Sequence, residues 1–156
     1  MTLLELGVAA NAERERRHGD RVYFALVPHA MVRVDGPPES LPRAFAAVGD
    51  GVPAVAVTIQ GSAGQTTGEA EIRAIAQARL TLTGVDHIAA DWTRLSPYVA
   101  QVALRFGADQ LTGIPPGTPK KEILRLIAEA GRQPFECDAE YRAHNSFETA
   151  LPVIQS

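Results

Sequence analysis

The run RVYFALV, Arg21–Val27, contains six consecutive residues after the arginine with no polar interruption. Unbroken apolar, β-rich runs of this length are the pattern of a strand buried on both faces, and such strands belong to parallel sheets covered by helices. AVAVTIQ, Ala54–Gln60, repeats the pattern, and VDHIAADW, Val85–Trp92, supplies a third run. What separates these runs therefore decides the fold class.

Helical signals fill the gaps. Thr2 with Glu5 forms a capping box, Leu3, Leu6 and Ala10 recur at helical spacing, and Gly19 offers a C-terminal cap, so a first helix is predicted over residues 3–17. MVRVD, Met31–Asp35, alternates and suits an edge strand or hairpin partner ended by Gly36–Pro38, and Ser40 is placed to cap a short helix through Val48. Thr66 and Glu69 form a second capping box before EIRAIAQARLTLT, which Gly84 closes. Ser96 and Pro97 open a helix whose Val99, Val102, Ala103 and Phe106 share a face, and Gly107 ends it. Thr118 and Pro119 repeat the device for KKEILRLIAEA, Gly131 stops it, and PFECD, Pro134–Asp138, is a last extended piece. Strands alternating with helices predict an α/β domain with a mostly parallel sheet, either open or a partial TIM-type barrel. Residues 1–142 form one domain in this reading, and 143–156 a C-terminal tail that either docks or frays.

Composition narrows the function classes. At 156 residues and 46% hydrophobic, the chain can bury an ordinary core without metals or disulfides, and its formal charge of -3 supplies no basic field for nucleic acid or anionic lipid. Cys137 is the only cysteine, which excludes an intrachain disulfide, a zinc-thiolate site and a cluster ligated within one chain, and points to a reducing cytosol. No run reaches membrane-spanning length and no cleavage site follows the N-terminal segment, so a soluble, untargeted, cytoplasmic protein is expected.

Candidate chemistry is sparse. Sites in parallel sheets collect at the carboxyl ends of strands, so within DHIAADW, Asp91 and Trp92 are expected on the functional rim and Asp86 on the opposite one. Regular alternation puts His87 on the same face as Ala89 and Asp91, an imidazole and a carboxylate on one surface, against the plainer reading of a hydrogen-bonded packing histidine. His29, in VPHAM, follows the first strand and also falls at a carboxyl end. His18 needs only its favourable position at a helix C-terminus. GSAGQTTG, Gly61–Gly68, follows Gln60 and opens a helix, where backbone N–H groups around Ser62 could cradle an anion; it has neither the P-loop lysine nor dinucleotide glycine spacing, and a plain flexible loop is the competing reading. Cys137, between Glu136 and Asp138, is expected to be an unreactive thiol. No metal ligand set is assigned.

A resemblance is carried by three stretches. Ile72–Ile114, IRAIAQARLTLTGVDHIAADWTRLSPYVAQVALRFGADQLTGI, Arg125–Tyr141, RLIAEAGRQPFECDAEY, and Leu3–Leu26, LLELGVAANAERERRHGDRVYFAL, resemble in order the C-terminal part, the closing "AG..P..RD..Y" pattern and the opening helix and strand of the radical SAM enzymes of the futalosine route to menaquinone. Aminofutalosine synthase and cyclic dehypoxanthine futalosine synthase are family members that it resembles, with the related deazaflavin-cofactor synthases behind them. The resemblance implies a βα barrel whose central units are absent here, together with the CxxxCxxC motif whose thiolates hold a [4Fe-4S] cluster. One cysteine cannot replace three, so no cluster cofactor is expected and radical SAM activity is excluded for this chain alone. The family's GADDLDGT reads GADQLTGI here, keeping Asp109 and replacing acidic positions by Gln110 and Thr112.

Two functions follow as expectations. One is a cluster-free, non-catalytic accessory or ligand-binding protein whose rim (His29, Gln60, Ser62, Asp91, Trp92, Asp109 and Gln110) holds a nucleoside-like ligand, with a full-length pathway enzyme and a second copy of the chain as partners through an open sheet edge. The other is a small metal-independent lyase, isomerase or hydrolase using His29 or His87 as base with Asp91 as orienting carboxylate.

Overall fold

The computed structural model describes residues 2–26, 31–49, 51–59, 68–138 and 140–145. Helix α1 (Leu3–His18) leads into β1 (Arg21–Phe24); β2 (Val32–Gly36) follows, then α2 (Leu41–Ala46), β3 (Ala54–Ile59), α3 (Glu69–Thr81), β4 (His87–Asp91), α4 (Trp92–Leu95), α5 (Pro97–Ala103), β5 (Gln110–Thr112), α6 (Lys120–Glu129), β6 (Gln133–Cys137) and β7 (Ala143–Asn145). The strands form a single sheet in the order β2-β3-β4-β5-β1-β6-β7. Every pairing is parallel except β6 with β7. The α/β reading with a mostly parallel, unclosed barrel-like sheet therefore holds. β2 to β5 wind consecutively, and β1 lies between β5 and β6.

Register sorts the side chains onto two faces. Val22 and Phe24 of β1, Val55 and Val57 of β3, Ile88 and Ala90 of β4 and Leu111 of β5 share one core with Phe45, Ile75, Ala78, Leu95, Ala100, Ala103, Ile123 and Ile127 from the helices. The helices α2 to α6 thus cover that face. Alternation turns Tyr23, Ala56, His87, Ala89, Asp91 and Gln110 to the other side, which has the small, aromatic and polar character of a barrel interior. α1 forms an outer layer, its Leu6 and Ala10 packing with Ala76 of α3.

Local details follow the sequence in most places. Thr2 accepts from Glu5 N as the cap of α1, and Ser96 accepts from Val99 N ahead of Pro97. Thr118 and Ser40 instead turn back to the carbonyls of Pro115 and Pro37, so neither caps the helix after it. Thr66 lies outside the described residues. MVRVD is an edge strand, paired in parallel with β3. The sheet also runs past residue 142, because Ala143–Asn145 pairs antiparallel with β6. Among the described residues no helix is long and apolar enough to cross a membrane.

Three buried arginines hold α1 and the neighbouring loops at the amino ends of the strands. Arg14 donates to the carbonyls of Ala108, Gly19 and Arg21, Arg79 to those of Gly107 and Asp86, and Arg132 to Leu104 O, Glu15, Asp20 and Asn11. All three side chains are fully buried, and their N–H groups satisfy loop carbonyls that would otherwise be desolvated.

Candidate functional site at the carboxyl ends of the strands

A cavity of about 510 Å³ opens where β1 and β5 end, lined by Ala25, Leu26 and Arg33 and by the run Leu111–Thr118. The volume suits a small organic ligand. After Thr112 the chain enters the left-handed region at Gly113 (φ 66) and again at Gly117 (φ 85), so Ile114, Pro115 and Pro116 form an apolar wall between two glycine turns.

One acid organises this end. Asp91 closes β4 and caps α4, its Oδ1 accepting from Thr93 N at 3.0 Å and Arg94 N at 3.1 Å. Its Oδ2 accepts from Arg33 Nη1 at 2.6 Å, which sets the half-exposed guanidinium at the cavity edge. Among the described residues Arg33 makes one side-chain hydrogen bond, to Asp91, and its planar fork carries further donors of the kind that suit an anionic group. Thr93 Oγ1 donates to Gly113 O at 2.5 Å and ties the cavity wall to the cap. A charged group beside an apolar wall, at the carboxyl end of a parallel sheet, can orient a ligand.

The residues expected on this rim are dispersed. Asp91 stands at the predicted end. Trp92, expected as a stacking surface, is buried in the helix-side core and does not line the cavity. Asp109 and Gln110, expected beside it, are both fully buried below it: Asp109 precedes β5 at the amino ends of the strands, and Gln110 opens β5 level with Ala89 in the middle of β4. Their position is corrected for a simple reason: the strand begins at Gln110, so GAD is the entry to β5 and the following TG is its exit. His29, Gln60 and Ser62 lie outside the described residues. His87 and Asp91 do share a face, but four residues of strand separate them by roughly 13 Å. The imidazole and carboxylate expected to act together do not meet, and their spacing alone decides it.

His87 has a different partner. Its Nδ1 lies 2.6 Å from Asp109 Oδ2, while Asp109 Oδ1 accepts from Ile88 N at 2.8 Å and from Arg79 Nη2. His18 stacks on one side of the His87 ring at 4.9 Å, Tyr141 on the other at 3.8 Å, and Tyr23 meets it edge-on. Tyr141 adopts φ 65, a left-handed conformation rare for a large side chain, and its hydroxyl donates to Gln110 Oε1 at 2.7 Å. The sequence signal for Tyr141 was its place in the closing pattern of the resemblance. The arginines gave no such signal, since burial of a charge is set by tertiary contacts.

Burial alone would push the Asp109 carboxyl up, but the His87 hydrogen bond and the charges of Arg79, His18 and His87 outweigh it and hold it at about 2. A folded value below the unfolded 3.8 means that this acid stabilises the fold fully above about pH 4 and loses that contribution as pH falls towards 2. The loss is on the order of 2 kcal/mol. Urea midpoints measured between pH 6 and pH 2.5 should fall, and Asp109→Asn should flatten that dependence. His18 is shifted down by burial, against the pull of Asp109 and Asp86. Burial, with Asp138 and Glu136 adding to it, pushes the Cys137 thiol up to about 12, and its Sγ points to Phe24 O at 3.5 Å.

Fold and site together define a barrel-like but open parallel sheet with helices on its outer face and a small-molecule cavity at its carboxyl ends. No family model matches the chain. Its sequence is 38% identical over 91 residues to the aminodeoxyfutalosine synthase of Thermus thermophilus, a stretch amounting to 49% of this chain and 24% of that protein. The aminodeoxyfutalosine synthase of Streptomyces coelicolor is 29% identical over 110 residues, 61% of this chain and 28% of that protein. The chain thus resembles portions of aminodeoxyfutalosine synthases and spans about a quarter of the length of these curated relatives. The residues present do not fit an iron–sulfur cluster: the one thiol is buried at the end of β6 with its sulfur directed at a backbone carbonyl.

Proposed function

We propose that this chain is a cluster-free relative of the futalosine-route enzymes that binds a small nucleoside-like molecule without transforming it. The cavity at the carboxyl ends carries the reading: an apolar wall at Ile114–Pro116 suits a flat ring, Thr112 a hydroxyl, and Arg33 an acidic substituent. The partial likeness to aminodeoxyfutalosine synthases supports the choice of ligand class. An accessory role toward a full-length pathway enzyme, or self-association, is consistent with β2 standing at the sheet edge, where among the described residues it pairs with β3 alone. Against the alternative of His/Asp acid–base catalysis stands the separation of His87 from Asp91.

The test is a thermal-shift and calorimetry screen of the full chain against futalosine-like nucleosides, with purified aminodeoxyfutalosine synthase run in parallel for association. Binding should weaken at least about tenfold in Arg33→Ala, while circular dichroism shows the fold retained, because the Asp91 carboxylate keeps the Thr93 and Arg94 backbone N–H groups as donors. If no nucleoside binds and no synthase associates, the reading fails.

A further inference from the structure

At the amino ends of the strands, away from the cavity, His18, His87 and Asp109 each place one donor atom within 4.8 Å of the others. We propose that this corner is a site for one divalent transition ion of the zinc type, ligated by His18, His87 and Asp86 and oriented by Asp109. His87 supplies the strongest reason. Its Nδ1 faces Asp109 Oδ2 at 2.6 Å, and an ionised carboxylate can only accept, so in the neutral ring the proton sits on Nδ1 and the lone pair on Nε2. An imidazole that donates one N–H to a carboxylate and presents the other nitrogen is the arrangement that tunes metal-binding histidines.

That Nε2 lies 3.6 Å from Asp86 Oδ2, and His18 Nε2 lies 3.5 Å from Asp86 Oδ1. A four-coordinate ion with bonds of about 2.0–2.1 Å spaces its ligand atoms roughly 3.3–3.4 Å apart, so each imidazole–carboxylate gap is close to one edge of its seat, with one Asp86 oxygen facing each ring. Two imidazoles and a carboxylate are a ligand set zinc accepts. Access is provided as well: both histidines are buried, but the Asp86 side chain is 60% exposed and forms the solvent side of the corner.

Binding requires one movement and one charge adjustment. The two rings are stacked at 21°, and an ion must lie near both ring planes, so one ring has to tilt. His87 is clamped between Asp109 and the Tyr141 ring, which lies 9° from parallel. His18, the last residue of α1 beside Gly19, is the ring that turns, giving up its 2.8 Å hydrogen bond to Asp86 O and shifting its proton to Nδ1. Arg17, 3.7 Å from Asp86 Oδ1, keeps its hydrogen bonds to Glu13, Thr83 O and Val85 O when the ion takes its place at that carboxylate. Arg79 stays paired with Asp109, so only Asp86 has to exchange a cation for the ion.

The experiment is a titration of the full chain, freed of metal by chelation, with Zn2+ by calorimetry and with Co2+ by visible absorption. One ion per chain and the absorption of four-coordinate Co2+ are expected. Asp86→Ala removes an exposed side chain and leaves the backbone carbonyl that Arg79 uses, so the fold should persist while affinity falls at least about tenfold. His18→Gln should act in the same direction, and Asp109→Asn should weaken binding about 10- to 100-fold. Circular dichroism identifies any variant that fails to fold, in which case Asp86→Ala decides. Absence of Zn2+ binding by the parent chain, or equal affinity in Asp86→Ala, overturns the proposal.

Discussion

Replacing Arg79 with leucine is expected to destabilise the protein by about 3–5 kcal/mol, because it strips a fully buried carboxylate of its cation. Arg79 sits on Asp109 with no solvent to compensate for its loss, and its other N–H groups serve Gly107 O and Asp86 O, both at 2.9 Å. The leucine can fill space but cannot donate, so three acceptors lose a partner at once. Urea denaturation with a two-state fit measures the change. The double variant Arg79→Leu, Asp109→Leu should recover part of it, since an apolar pair replacing a buried ion pair leaves no unpaired charge. A loss below about 1 kcal/mol in the single variant would show that the Arg79 and Asp109 charges are solvated in solution.

Gly113→Ala should cost about 2–4 kcal/mol and remove ligand binding at the cavity. Two effects act together. At φ 66 an alanine is strained by about 1 kcal/mol or more. Its Cβ would also lie 2.2 Å from Asp91 Oδ1, the atom that caps α4, so the carboxylate must leave, and the cap and the seat of Arg33 go with it. In an Asp91→Ala background the same substitution should cost only the backbone part, and that non-additivity, read from melting curves of the four proteins, is the check. Equal costs in both backgrounds would separate Gly113 from Asp91.

The sheet was legible in the sequence because a parallel strand covered by helices has a local signature: Ala54–Ile59 is apolar at nearly every position, and Ser96 and Pro97 mark the start of α5, although that helix ends at Ala103 and not at Gly107 as its spacing suggested. The insertion of β1 between β5 and β6 carries no such signature, since strand order depends on long-range pairing. The site divides along the same line. Asp91 could be placed because the end of an apolar run is visible in one dimension. Asp109 was set at the wrong end, since a three-residue strand after GAD gives too little periodicity to say where entry stops and exit begins. Arg33 looked like one polar residue on an alternating edge strand. Its role depends on Asp91, 58 positions away.

The buried arginines have a consequence for how this chain can drift in sequence. Arg14 and Arg79 spend most of their donors on main-chain carbonyls, those of Gly19, Arg21, Asp86, Gly107 and Ala108, and Arg132 adds Leu104 O. A carbonyl is offered by every residue type, so the side chains of Arg21, Leu104 and Ala108 are replaceable as far as the clamp is concerned, while the three arginines are not, nor is Gly107, where at φ 115 a Cβ would lie 3.1 Å from the Cβ of Arg79. Homologues are therefore expected to keep the guanidinium groups and Gly107 and to vary more freely at exposed gripped positions such as Arg21.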